Sequence, residues 1–98
     1  MVIQDVLDQL ESAVSPVVKL LQKAENSKVV VMGFKSGMVL KEHQTNITTK
    51  LVIVDGKVIY KSGDQFTTLN KFDELEIPVN VPHSVEATED SICFLIQG

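Results

Sequence analysis

Apolar residues in the first fourteen positions fall at Val2, Ile3, Val6, Leu7, Leu10, Ala13 and Val14, with Gln4, Asp5, Asp8 and Glu11 between them. Three- and four-residue spacing of this kind lays one apolar stripe along an amphipathic helix. Pro16 disfavours the α conformation at Ser15, so a helical segment over 1–15 is set apart from the remainder of the chain. Its acidic polar face argues against anionic lipid and for packing on the rest of the domain or on a second copy. From residue 17 the period changes: short apolar runs are broken at close intervals by Asn-Ser, Lys-Ser-Gly, Asp-Gly, Ser-Gly-Asp and Asn-Lys. That is the punctuation of a β protein. The run VVKLLQK fits a helix or a strand and is read as a strand. KVVVMGF is apolar at nearly every position, as expected of a strand covered on both faces. LVIVDGKVIY predicts a hairpin, its two runs joined by Asp55-Gly56, a pair that accepts positive φ angles. QFTTL, ELEIPV, SVEA and SICFLI supply further strands. The prediction for 16–98 is all-β, a sandwich or small barrel, with any function among inward-facing residues at one mouth.

Composition narrows the function classes. A chain of 98 residues makes one domain. It buries only about two thirds of its unfolded surface, and a homo-oligomer is expected on that ground. An apolar fraction of 44% with 22% charged residues argues for a globular protein and against disorder. The formal charge of -4, without a Lys/Arg cluster, weighs against nucleic acid, whose binders need a positive stripe to displace counterions. The stretch MVIQDVLDQLESAV lacks the basic opening and unbroken apolar block of a signal peptide or membrane span, which makes the cytoplasm the expected location. Cys93 has no partner for an internal disulfide and sits in ICFLI, where a thiol packs as a small hydrophobe.

Two stretches carry a more specific pattern. In GMVLKEHQT, Gly37 is followed after five residues by His43, and Gly56 lies where a second glycine closes the same motif. In FDELEIPVNVPHSVEATEDS, Pro78, Asn80 and His83 hold the spacing of a second motif. Over roughly residues 29–96 the chain resembles the cupin superfamily, in particular its small single-barrel members with an RmlC-like jelly roll. The resemblance implies a double-stranded β-helix; the N-terminal helix read from the apolar spacing lies outside it. The resemblance also implies three imidazoles and a carboxylate around a divalent transition metal. The sequence departs from that ligand set: the second histidine position holds Thr45, the motif glutamate Thr49, the opening glycine of the second motif Phe72, its Pro-x-Gly glycine Asn80, and its final asparagine Ala87. Asn80 tolerates a left-handed turn. A neutral threonine, however, is a poor substitute for imidazole or carboxylate, and two histidines fall short of the three or four protein ligands of a tight site. Glu42 and Gln44 have opposite parity to His43 and should point outward, while Asn46, at a bend, can turn inward as a weak neutral ligand.

Continuing the parity from His43 and Thr45 puts Thr49, Leu51 and Ile53 inside, and from His83 it puts Val85 and Ala87 inside. The candidate pocket is His43, Thr45, Thr49, Leu51, His83 and Val85, with His43 and His83 the incomplete metal pair; no catalytic residue is assigned. Val52 and Val54 then face outward and need cover from the helix or a second subunit; cupins of this size are commonly dimers, so the resemblance implies a homodimer too. Other stretches carry less. GFKSGM is no phosphate loop, leaving Gly33 and Gly37 as turn residues. Ser84 and His83 point to opposite faces of a strand, Glu74 and Glu76 form a solvated strand face, and Tyr60 and Phe66 are too isolated to stack bases. The expected function is that of a homodimer binding a small molecule, or weakly a metal ion, through His43 and His83. The alternatives are a metal-dependent oxygenase or isomerase whose ligand set is completed by Asn46, water or substrate, and an assembly or regulatory module with a filled barrel.

Overall fold

In the computed structural model, which describes residues 1–98, helix α1 spans Val2–Leu10 and stops short of the expected Ser15. After Leu10 the chain tightens: Ser12 N–H donates to Gln9 O and Ala13 N–H to Leu10 O, each at 3.3 Å, three-residue bonds that close a helix off. Lys35 Nζ, from the end of the second strand, donates to Glu11 O at 2.8 Å and places a cation on the unsatisfied carbonyl end of α1. The apolar spacing of Ala13 and Val14 therefore belongs to a connector, with Val14 fully in solvent. No helix is long and apolar enough to cross a membrane.

Nine strands follow: β1 Val17–Lys23, β2 Lys28–Phe34, β3 Val39–His43, β4 Thr49–Asp55, β5 Lys57–Ser62, β6 Gln65–Asn70, β7 Glu74–Ile77, β8 His83–Ala87 and β9 Ser91–Gln97. They form a five-stranded sheet, β1-β2-β9-β4-β7, and a four-stranded sheet, β3-β8-β5-β6, antiparallel throughout. This is a double-stranded β-helix, a jelly-roll barrel. Its core joins Met32, Phe34, Leu51, Ile53 and Cys93 of one sheet to Val58, Leu69, Val85 and Ala87 of the other. Apolar residues of alternating parity meet between the layers, each fully buried side chain stabilising the fold by roughly 1.5–3 kcal/mol.

The outer face of the larger sheet receives α1. Val6, fully buried, packs with Val31 and Ile92, and Val54 is half-buried against this cluster, so the helix supplies the cover that outward-facing Val54 requires. Gly33 is not a turn residue. It lies within β2 beneath α1, where a Cβ would stand 2.6 Å from Val6 Cγ1, so its missing side chain sets how closely the helix approaches the sheet.

Asp55-Gly56 does not close a hairpin either. β4 pairs with β7 and β9, β5 with β6 and β8, and the Asp-Gly pair is the corner where the chain passes from one sheet to the other. Gly56 has φ +90, and a Cβ there would collide with Asp90 O and Ser91 Oγ. Left-handed backbone recurs at Phe72 (φ 73), whose side chain is 77% exposed. The turn carrying Phe72 is held against β4 by Phe72 N–H donating to Ile53 O at 2.7 Å and Ile53 N–H to Asp73 O at 2.9 Å.

These two left-handed positions should respond oppositely to substitution. A left-handed conformation costs a residue with a Cβ roughly 1–2 kcal/mol, and glycine returns part of that through its unfolded-state entropy. Phe72→Gly is expected to stabilise the domain by about 1 kcal/mol, and Gly56→Ala, which adds both strain and collision, to destabilise it by about 2 kcal/mol or more. Urea unfolding followed by circular dichroism measures both.

Candidate functional site at one mouth of the barrel

The position of His43 follows from an irregularity in β3. Val39 pairs with Glu86 and Leu40 with Val85, but His43, not Glu42, pairs with His83, so one extra residue has entered β3 between Leu40 and His43. A β-bulge of this kind reverses the in–out alternation beyond it. Leu40 and His43, three apart in sequence, both line the interior, and Glu42 stays outside. His43 and His83 become cross-strand neighbours with ring centroids 4.3 Å apart and planes inclined at 59°.

The two rings are oriented in the same manner. His43 Nδ1 donates to Lys41 O at 2.9 Å, and His83 Nδ1 to Val81 O at 3.2 Å. A carbonyl can only accept, so each Nδ1 carries a proton, and in the neutral form of either ring the unshared pair lies on Nε2. Neither Nε2 has a partner within the domain. The surroundings differ: His43 is exposed at the rim, while His83 is 2% exposed. Burial pushes the His83 imidazole below its usual pKa; the bond to the Val81 carbonyl opposes this, and the neighbouring His43 adds a smaller push downward. Tyr60 stacks on His83, centroids 5.5 Å apart at 23°. Its hydroxyl is buried without a hydrogen-bond partner, and burial raises its pKa against a weaker opposing influence of Ser62.

A cavity of about 460 Å³ opens beside the pair. It gathers the six residues singled out from the sequence: His43, Thr45, Thr49, Leu51, His83 and Val85. The interior is therefore open at this mouth. Gln44 lines it too, contrary to its expected outward direction, because β3 ends at His43 and strand parity no longer applies beyond it. Asn46 and Asn80 add amides, Gln97 and Lys28 stand at the paired ends of β9 and β2, and Met32, Ile77 and Leu95 help form the apolar wall.

The threonines brace the cavity. Thr45 Oγ1 and Thr49 Oγ1 both donate to Ile47 O, at 3.2 and 3.0 Å, and Gln97 Nε2 donates to Thr49 Oγ1 at 3.4 Å. Asn80 N–H donates to Thr45 O at 2.7 Å, with Asn80 at φ 61 in the left-handed conformation expected of it. The segment 44–48 is thus tied to the floor of the cavity and to the 78–82 loop.

This donor set does not fit a tight transition-metal centre. No group of three or more His, Cys, Asp or Glu side chains converges anywhere in the chain, and the nearest supplements to the two imidazoles are neutral hydroxyls and amides. What the site can do is accept hydrogen bonds, or a proton, at two Nε2 atoms and donate from amides and one ammonium. Cys93 takes no part: it is fully buried and its thiol is pushed up to about 12 by that burial.

Lys28, Gln97 and Tyr60 were not foreseen. Counting back by twos from Met32 would have placed Lys28 inside, counting forward from Cys93 would have placed Gln97 there, and Tyr60 shares the parity of buried Val58. No sequence signal marks Tyr60 as the neighbour of His83.

No protein-family model matches the chain, and no curated protein matches it in sequence. Solved structures do. An RmlC-like cupin protein from Desulfovibrio desulfuricans is 26% identical, with 86% of this chain aligned to 82% of that one at a TM-score of 0.79. A cupin-like protein from Thermotoga maritima is 27% identical over 84% of this chain and 67% of that one, TM-score 0.76. A conserved protein with a double-stranded β-helix domain from Klebsiella pneumoniae, 18% identical, aligns over 94% and 85% of the two chains with a TM-score of 0.81.

Because the pKa of His83 is lowered on folding, the unfolded chain binds the proton more readily. The stability this group confers is complete above about pH 6.5, the ordinary imidazole value, and is lost as pH falls towards the lower folded value. Chemical denaturation between pH 7.5 and 5 should show stability declining in that window, and His83→Gln should flatten the decline.

Proposed function

We propose, from the premise that the chain belongs to the cupin superfamily, that it is a small binding protein whose guest is a polar small molecule held in the barrel mouth by His43 and His83. The observation that carries this is the pair of unpartnered Nε2 atoms, each fixed by an Nδ1–carbonyl bond, beside a cavity of about 460 Å³. A cavity of that size lies within the range of small-molecule sites, with apolar walls and a few placed polar groups. Preset tautomers give a guest's hydroxyl or amide two ready acceptors without a reorganisation cost. A homodimer belongs to the same proposal, supported by the apolar groove between α1 and β1, where Ile3, Leu7 and Leu21 remain exposed.

The test is a ¹H–¹⁵N titration with small polyols and amides. Binding should shift the Thr45, Thr49, His83 and Val85 resonances, and His43→Ala should weaken it about tenfold, the loss of one net hydrogen bond. Shifts confined to other surfaces, or insensitivity to His43→Ala, would remove the reading. Metal analysis of protein purified without chelators should find well below one transition ion per chain; a near-stoichiometric ion lost in His43→Ala would favour the metal-dependent enzyme instead.

A further inference from the structure

The cavity differs in charge from the rest of the molecule. The chain carries 13 Asp and Glu against 9 Lys and Arg, yet none of the carboxylates lines the cavity, and its one formally charged residue is Lys28. Carboxylates are engaged elsewhere. Glu74 pairs with Lys50, Glu86 with Lys61, Glu89 with Lys57 and Asp55 with Lys71, while Asp90 and Asp73 accept from the backbone N–H groups of Ser36 and Asn70. The acidic residues nearest the mouth in sequence, Glu25, Glu42 and Glu76, are exposed and outside the lining. Lys28 itself makes no ion pair. It opens β2 on the inward face shared with Val30 and Met32, directly across from Gln97.

The cavity therefore has two chemically distinct ends. At the β2–β9 end, Lys28 and the Gln97 amide are donors; the ammonium makes no ion pair, and Glu25 lines an adjoining groove with it. At the β3–β8 end, each ring has its Nδ1 proton fixed on a backbone carbonyl, so in the neutral form its Nε2 is an acceptor that would repel an anionic oxygen and attract a hydroxyl proton. The net charge of -4 does not reverse this preference, since charges more than about 8 Å away are largely screened at physiological salt whereas a contact ion pair is not. We infer that the guest is a small hydroxycarboxylate, its carboxylate at Lys28 and Gln97 and its hydroxyls donating to His43 and His83. This rests on the binding reading above and specifies the chemistry of that same site.

Three probes of six carbons separate the contributions at pH 7.5: gluconate, with carboxylate and hydroxyls; sorbitol, with hydroxyls alone; and hexanoate, with carboxylate alone. Resonance shifts of Thr45, Thr49 and His83 report occupancy of the cavity. Gluconate is expected to bind at least about tenfold more tightly than either partial probe, and its affinity to fall as sodium chloride rises. Lys28→Gln should reduce gluconate to the level of sorbitol and leave sorbitol unchanged; Lys28→Arg should restore most of the difference. The exposed position of Lys28 makes these variants compatible with the fold, which the dispersion of the same spectra verifies. If sorbitol binds as well as gluconate, or Lys28→Gln changes nothing, the anionic assignment is overturned while the binding reading stands. If none of the three shifts the cavity resonances, both are overturned.

Discussion

Between Leu40 and His43 the pairing of β3 with β8 gains one residue, and the contents of the barrel mouth depend on that insertion. In uniform register Leu40 opposite Val85 would be followed by Glu42 opposite His83. A carboxylate would then face the buried imidazole, and His43 would lie in solvent. The bulge exchanges the two. It places a second imidazole beside the first and leaves the Glu42 carboxylate outside, so that no acidic residue lines the cavity. Backbone hydrogen bonding, rather than any contact between the rings, sets the chemistry of the site.

The remaining contributions support that arrangement from behind. Thr45 and Thr49 line the cavity, and their hydroxyl protons are both committed to the Ile47 carbonyl. They hold the 44–48 segment as the wall of the cavity. Asn80 ties that segment to the 78–82 loop through its backbone N–H, and its left-handed conformation directs the loop into β8 and so to His83. Both threonines serve here as braces.

Much of the fold was legible because strand pattern and turn chemistry are local. Eight of the nine strands form where short apolar runs indicated them, β3 being the one not named as a run, and the four motif positions at Gly37, Gly56, Phe72 and Asn80 all have positive φ although two are not glycine. The motif persists as backbone conformation where its side chains have changed. Features set by tertiary contact were not legible. Asp55-Gly56 suits a hairpin equally well as a corner, and which it becomes depends on whether β5 finds β4 or β8. Gly33 reads as a turn until a helix from the other end of the chain is seen to cross it. Parity placed five of the inward residues after β3 correctly, Thr49, Leu51, Ile53, Val85 and Ala87, because β4 and β8 run without interruption there. It misplaced Gln44 because β3 had already ended. His43 was assigned inward by motif spacing, and the bulge supplies the physical reason.

The neutral state of His83 connects fold and function. Burial disfavours its protonated form, with a smaller push from His43, and outweighs the opposing bond to the Val81 carbonyl; that bond keeps a proton on Nδ1, so near neutral pH the ring presents an acceptor at Nε2 and no charge. Were it readily protonated, the cavity would hold imidazolium near Lys28, and any anion would be drawn to both ends alike. Held neutral, it divides the cavity into an end that attracts negative charge and an end that accepts hydrogen bonds. A guest of the proposed kind would match both ends at once, and that requirement would select for orientation as well as composition. The mouth of the barrel thus has a specific polarity, produced by desolvation on one wall and an unpaired lysine on the other.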